Sequence, residues 1–404
     1  MSGIRAFHDS HSAFYRSPFG AVPCESTIRL RLTVEVPAPL EQCQLRLWEE
    51  KAGREVLLPM EPAESQNTGD FIRQVFVADY QAPKKPGLVW YYFRLDTGDA
   101  LLYYGNNQAG LGGEGALYHH EPPGYQITVF LPRQVPAWLK EGVMYQIFVD
   151  RFCRDEQYLR EAGIKRLAQQ QGLLHVNWYD TPFYIKDAAG RVTRWTFFGG
   201  NLPGITAKLD YLRELGVTIL YLNPIFESAS NHKYDTGDYL KIDPLYGNEA
   251  LFEELVREAD LRGIKIILDG VFSHTGADSI YFNKYGNYSS VGAFQSPDSP
   301  YYSWYIFKQY PTEYESWWGI DVLPNVNEME PSYRDFIYGG ENSVIRHWMK
   351  KGVKGWRLDV ADELPDEFIK ELRQAVLAQD QEAVLIGEVW EDASNKISYG
   401  KRRE

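Results

Sequence analysis

Three acidic residues each follow a short apolar run: Asp269 after IKIIL, Asp359 after WRL and Glu388 after VLIG. A single carboxylate at the end of such a run is as often a turn cap as a reactive group. The same placement in successive runs calls for another explanation. Arg357 and Asp359 are two residues apart, so on an extended strand they point to one face. A guanidinium beside a carboxylate favours its ionised form, the state a nucleophile needs. By the same alternation Val384, Ile386 and Glu388 share a face, and such apolar company should raise the pKa of Glu388 towards that of a general acid. One carboxylate held anionic beside another held protonated is the division of labour that cleaves a glycosidic bond. Were the two on neighbouring strands, roughly 4.8 Å apart, they would fit the retaining separation of about 5–5.5 Å better than the wider inverting one.

The elements that must position them change character along the chain. Up to about residue 130, runs such as STIRLRLTVEV, CQLRLWEE, FIRQVFVADY and LVWYYFRLD alternate with period two between turn signals, the pattern of a β-sandwich. A proline-marked stretch from Pro122 to Pro136 leads out of this region. Beyond it, apolar strands alternate with helical patterns: VMYQIFVD, VTILYLNPIF, IKIILDGVFSH, VKGWRLDV and AVLIGEV, with helices around ITAKLDYLRELG, NEALFEELVREADLRG, ENSVIRHWMKKG and DEFIKELRQAVLAQ. This alternation implies parallel βαβ units. An open doubly wound sheet would share it, but no Gly-rich phosphate loop is present. The expected fold is therefore a β-sandwich over 1–130 followed, over 131–404, by an incomplete (β/α)8 TIM barrel. About five of its eight strands would be present, with an irregular insertion at 275–341 after the third.

A net charge of −13 argues against a nucleic-acid or anionic-membrane partner, either of which needs a basic face. Cys24, Cys43 and Cys153 are too few and too scattered for a disulfide framework or a metal cluster. The opening residues, MSGIRAFHDSHSAFYRSPFG, lack an apolar run, so no secretory leader is expected. Together these favour a cytoplasmic location. The 28 Tyr and 11 Trp suit either a large aromatic core or a sugar-binding surface. Trp48 and Trp90 could belong to either.

Several short motifs resemble the α-amylase superfamily of glycoside hydrolases. DGVFSH (269–274), GWRLDVADE (355–363) and GEVW (387–390) look like its third-, fourth- and fifth-strand motifs. LPNVN (323–327) and FFGGNLPGITAKLDYLRELGVTILYLNPIFESASNHKYDTGDY are similar to the branch holding neopullulanases, cyclomaltodextrinases and maltogenic amylases. The resemblance implies Asp359 as nucleophile, Glu388 as acid/base and Arg357 as the group that orients and ionises Asp359. It also implies that Tyr234 stacks on the sugar at the cleavage point, that His274 bonds its hydroxyls, and that Asp269 supports the geometry. The implied substrate is an α-glucan: α-1,4 bonds, and α-1,6 bonds as a further option, in maltooligosaccharides, cyclodextrins or pullulan. A homodimer of the full-length enzyme is implied through the sandwich.

The departures from the family pattern matter too. Ser273 stands where many relatives carry a calcium-binding asparagine, and the loop DRFCRDE lacks an Asn-rich pattern, with Asp155 a lone acid. No metal and no cofactor are expected, calcium being raised by the family but not supported here. Asp362 and Glu391 occupy positions that vary with specificity. The family's seventh-strand histidine and aspartate have no counterpart within the 404 residues, so this chain is expected to be a fragment with poor activity by itself. A non-catalytic α-glucan-binding protein, or a transglycosylase on the same scaffold, stand as alternatives.

Overall fold

The computed structural model describes residues 3–390, Ala393, and the backbone of Ile397, Ser398, Lys401 and Arg402. The chain divides after Gln134 into two compact units. In the first, Thr27–Val36 pairs with Ile72–Gln81 in one sheet, and Gly87–Asp96 is flanked by Gln42–Glu49 and Tyr125–Phe130 in the other. Alternate residues turn inward: Ile28, Leu30, Leu32 and Val34 from one sheet meet Leu45, Leu47, Val89 and Phe93 from the other in a shared core. Trp48 and Trp90 are register partners on the half-exposed side of the second sheet, the Trp90 indole donating to Glu50 at 2.8 Å. The cysteines are free thiols, and no helix among the described residues is long and apolar enough to cross a membrane.

The second unit is built on a five-stranded parallel sheet. Its strands are β1 (Met144–Ile147), β2 (Ile219–Leu222), β3 (Lys265–Gly270), β4 (Gly355–Leu358) and β5 (Val384–Gly387), and their spatial order follows the chain. A doubly wound sheet would reverse direction partway. Unbroken order is the winding of a (β/α) barrel, and it decides between the two readings that strand–helix alternation leaves open. Helices cover the outer face: α1 (Leu202–Ala207), α2 (Leu209–Glu214), α3 (Glu249–Leu261), α4 (Val344–Lys350) and α5 (Asp366–Gln379). On α3 the buried residues are Phe252, Leu255 and Ala259, and on α5 Phe368, Leu372 and Val376. These are the helical spacings that lay one stripe against a sheet. Asn201 and Asn248 cap α1 and α3 by accepting from the N–H groups of Gly204 and Leu251. The sequence pattern around ITAKLDYLRELG suggests one helix, but the chain forms two, breaking at Lys208.

The first strand is shorter than the apolar run VMYQIFVD. It gives way to a turn at Val149–Arg151, because the buried Asp150 accepts from the N–H groups of Phe198 and Gly199. FFGG owes its glycines to that approach: Gly199 has φ +79°, and a Cβ on Gly200 would overlap the Val149 carbonyl. Arg154 braces the same loop, donating to the carbonyls of His175 and Phe198 at 3.3 Å and of Val176 at 3.4 Å. Asp155, the lone acid of the DRFCRDE loop, caps a short helix through the Tyr158 N–H. The irregular stretch after β3 is tied back to it by Val326 N–H to Ser273 O (3.1 Å) and Thr275 N–H to Pro324 O (3.1 Å). The LPNVN segment thus has a structural role, closing the insertion against the end of the third strand.

Candidate active site

Strand register assembles the site. Asp269 on β3 lies opposite Arg357 on β4, which lies opposite Ile386 on β5. The ladders run one residue past the strands, with Asp359 N–H donating to Gly270 O (3.1 Å) and Glu388 N–H to Leu358 O (3.0 Å). Asp359 and Glu388 therefore leave the sheet at the same end, side by side. Arg357 joins all three carboxylates. Its Nη1 donates to Asp269 Oδ1 (2.7 Å) and Asp359 Oδ1 (2.8 Å), and its Nη2 is 2.7 Å from Glu388 Oε2.

Asp269 is the most deeply held of the three, at 1% exposure. Besides Arg357 it receives the hydroxyls of Tyr221 (2.5 Å) and Tyr234 (3.0 Å) on Oδ2. The network continues to β1: Gln146 donates to Asn223 (2.8 Å), and Asn223 to the Tyr234 hydroxyl (3.2 Å). Burial and the charge of Asp269 raise the phenols of Tyr221 and Tyr234 well above their ordinary range, so both stay protonated as donors.

The electrostatics correct one sequence-based expectation. Arg357 was expected to hold Asp359 below the usual carboxylate range, yet its pKa is pushed up to about 7. Burial is the largest cause and the charge of Asp269 the next; together they outweigh the attraction of Arg357. One guanidinium shared by three carboxylates cannot neutralise each of them. Burial likewise raises Asp269 to about 6, against the pull of Arg357 and the two phenols. Arg357 itself, although burial would lower its pKa, is kept charged by Asp269.

His274 is buried and spends both ring nitrogens within the protein: Nε2 lies 3.1 Å from the Tyr234 carbonyl and Nδ1 2.9 Å from the Ser273 hydroxyl. It holds the Tyr234 backbone in place, and a sugar hydroxyl would have to displace one of these partners. Burial lowers its pKa to about 4, so the ring is neutral at physiological pH. Among the described residues, no group of three or more His, Cys, Asp or Glu side chains is arranged to hold a metal ion.

Comparison with known proteins shows the family. The family profile described as alpha amylase, catalytic domain, matches residues 146–404. The chain belongs to the α-amylase family. It is 39% identical over 96% of its length to an amylopullulanase of Thermoanaerobacterium thermosulfurigenes, covering 22% of that protein. It is 38% identical over 64% of its length to neopullulanase 2 of Thermoactinomyces vulgaris, covering 40% of it. Among solved structures, the type III pullulan hydrolase of Thermococcus kodakarensis superposes over 96% of this chain and 62% of its own, with a TM-score of 0.55 and 28% identity. The chain thus spans less than half the length of either curated relative.

The surroundings of these carboxylates include residues that reading by motif missed. Tyr221 on β2 and Asn223 just past its end follow Ile219 at alternate positions; that spacing was visible, but both sat inside a run read only as apolar. Trp317 and Trp318 stack at 5.2 Å and both donate their indole N–H to Glu363 (3.0 and 3.1 Å). Trp390 closes edge-on against Trp318 at 5.4 Å, and Trp318 and Trp390 are 68% and 56% exposed. The WW pair in the insertion was the available signal, but only folding brings it to Glu363 and Trp390. Val360 is equally unforeseen. This β-branched residue adopts φ +40°, a strained conformation, and its N–H donates to Glu388 Oε2 at 3.0 Å. Asp362 follows in the turn Ala361–Glu363; Glu391 lies outside the described residues.

Proposed function

We propose that this chain carries the cleavage machinery of a retaining glycoside hydrolase acting on α-glucans, with Asp359 as nucleophile and Glu388 as acid/base. The observation that supports it best is Arg357 bound at once to Asp269, Asp359 and Glu388. Two carboxylates that share one guanidinium are held near each other, which suits the retaining separation of about 5–5.5 Å. Asp359, ionised, attacks the anomeric carbon while Glu388 protonates the departing glycosidic oxygen; Glu388 then takes the proton of the water that releases the sugar. Arg357 and the Val360 N–H aim Glu388, and Asp269 anchors Arg357 from beneath. Tyr234 offers its ring to the sugar at the cleavage point, and the exposed Trp318 and Trp390 receive the leaving side. The substrates we assign are α-1,4-linked maltooligosaccharides, cyclodextrins or pullulan, with α-1,6 bonds as a second linkage. The relatives named amylopullulanase and neopullulanase 2 support that choice. The free cysteines suit a cytoplasmic setting.

The test is turnover of maltoheptaose, β-cyclodextrin and pullulan by the wild-type protein and by Glu388→Gln, with the anomer of the new reducing end followed by NMR. Glu388→Gln should slow hydrolysis by roughly 10²–10⁴-fold, and the first-formed product should be the α-anomer. A β-anomer, or an unaffected Glu388→Gln variant, would refute the assignment. Elongated products would identify transfer to sugar in place of water.

A further inference from the structure

Tyr221 carries a hydroxyl into apolar company. Its ring packs with Ile219, Ile267 and Val384 and is 8% exposed. A buried hydroxyl needs a partner. This one donates to Asp269 Oδ2 at 2.5 Å, the shorter of the two phenol bonds that the carboxyl receives. Asp269 in turn shares Arg357 Nη1 with Asp359, at 2.7 and 2.8 Å. The guanidinium carbon lies 5.9 Å from the centre of the Tyr221 ring. Tyr221, Asp269, Arg357 and Asp359 therefore form one continuous chain from β2 across β3 to the end of β4. Among the described residues, the titratable and charged groups facing Asp269 are Tyr221 from β2, Tyr234 from the loop after it, and Arg357 and Asp359 from β4. Glu388, past β5, joins them across Arg357.

Two anions on one guanidinium compete for it. The more firmly Asp269 keeps its charge, the smaller the share of Arg357 left to Asp359, and the stronger the repulsion that Asp359 feels. Burial works against the charge of Asp269, while Arg357 and the two phenols sustain it. We propose that Tyr221 is a positioning residue acting through Asp269: its hydroxyl keeps Asp269 ionised, Asp269 draws on Arg357, and Asp359 is left a loosely held and therefore reactive carboxylate. The proposal rests on the glycosidase reading above, and it gives that reaction a control point that touches neither the sugar nor the nucleophile.

Tyr221→Phe removes one oxygen and keeps the ring. With isotopically labelled aspartate, NMR follows the titrations of Asp269 and Asp359, assigned through Asp269→Asn and Asp359→Asn. Tyr221→Phe should move Asp269 up and Asp359 down, each by about one pH unit. The acid limb of kcat/KM should follow Asp359 downward and the plateau of kcat should fall several-fold, because a carboxylate that gives up its proton more readily is the weaker nucleophile. KM for maltoheptaose should hold. Tyr234→Phe, which strips the longer bond from the same oxygen, should shift both carboxyls in the same senses by less, with a rise in KM because that ring faces the sugar. Parallel shifts of Asp269 and Asp359, or none, would overturn the proposal. So would a shift of Asp359 by Tyr221→Phe that persists in an Asp269→Asn background, since the path would then bypass Asp269. If the carboxyls titrate as expected but the acid limb of kcat/KM stays in place, the Tyr221 chain stands and the assignment of Asp359 as nucleophile falls.

Discussion

Asp359→Asn should stabilise the protein, and do so only above acid pH. The folded chain holds this carboxyl at a pKa of about 7, against an ordinary 3.8. A carboxyl whose folded pKa is raised binds its proton more tightly folded than unfolded. Its contribution is therefore favourable below the unfolded value and is lost as pH rises through to the folded one. The gap sets an upper bound of about 4 kcal/mol by pH 8, at about 1.36 kcal/mol per pKa unit. Asparagine keeps the shape and the acceptor facing Arg357 Nη1, and Arg357 retains Asp269 and Glu388 as partners. No cation is left unpaired, so little of that bound should be forfeited. Urea unfolding of wild type and Asp359→Asn at pH 4 and pH 8, with equal m-values, measures it. The variant should match wild type at pH 4 and exceed it by a few kcal/mol at pH 8. A variant less stable than wild type at pH 8 would show that the pairing with Arg357 outweighs burial, and would refute this reading of the site. The same raised pKa places the acid limb of kcat/KM near neutrality, as a property of the coupled carboxylates and not of Asp359 alone.

Other perturbations test the supports. Lys233 and Asp243 are both fully buried and paired at 2.8 Å; Lys233→Met leaves Asp243 short of a cation and should cost about 3–5 kcal/mol in urea unfolding. Trp348 is fully buried, with its indole donating to Tyr239 O at 2.8 Å. Trp348→Ala should lose about 3–5 kcal/mol through the cavity it opens, read as a fall in unfolding midpoint. Glu363 fixes the indoles of Trp317 and Trp318, so Glu363→Ala should leave global stability nearly unchanged while red-shifting tryptophan emission and weakening oligosaccharide binding several-fold. Unaltered emission would show that stacking alone holds the pair.

The layer pattern and the chemical cast were legible in the linear chain. Helical spacing in α3 and α5 is a local property, set by which face must leave water, and it appears unchanged in the fold. The alternation of Thr27–Val36 and Gly87–Asp96 survives on the core face, while neighbouring residues such as Thr33 and Tyr92 are buried as well. Asp269, Arg357, Asp359 and Glu388 were visible because a strand end places its last residue predictably. How those groups share charge was settled only in three dimensions. Strand register sets one arginine among three carboxylates, and whether burial or attraction wins at Asp359 depends on desolvation by residues distant in sequence. Winding order, the ties between LPNVN and β3 and the tryptophan cluster around Glu363 likewise join segments far apart along the chain. No local pattern encodes such meetings, because they arise from packing, where each contact exists only once the others have formed.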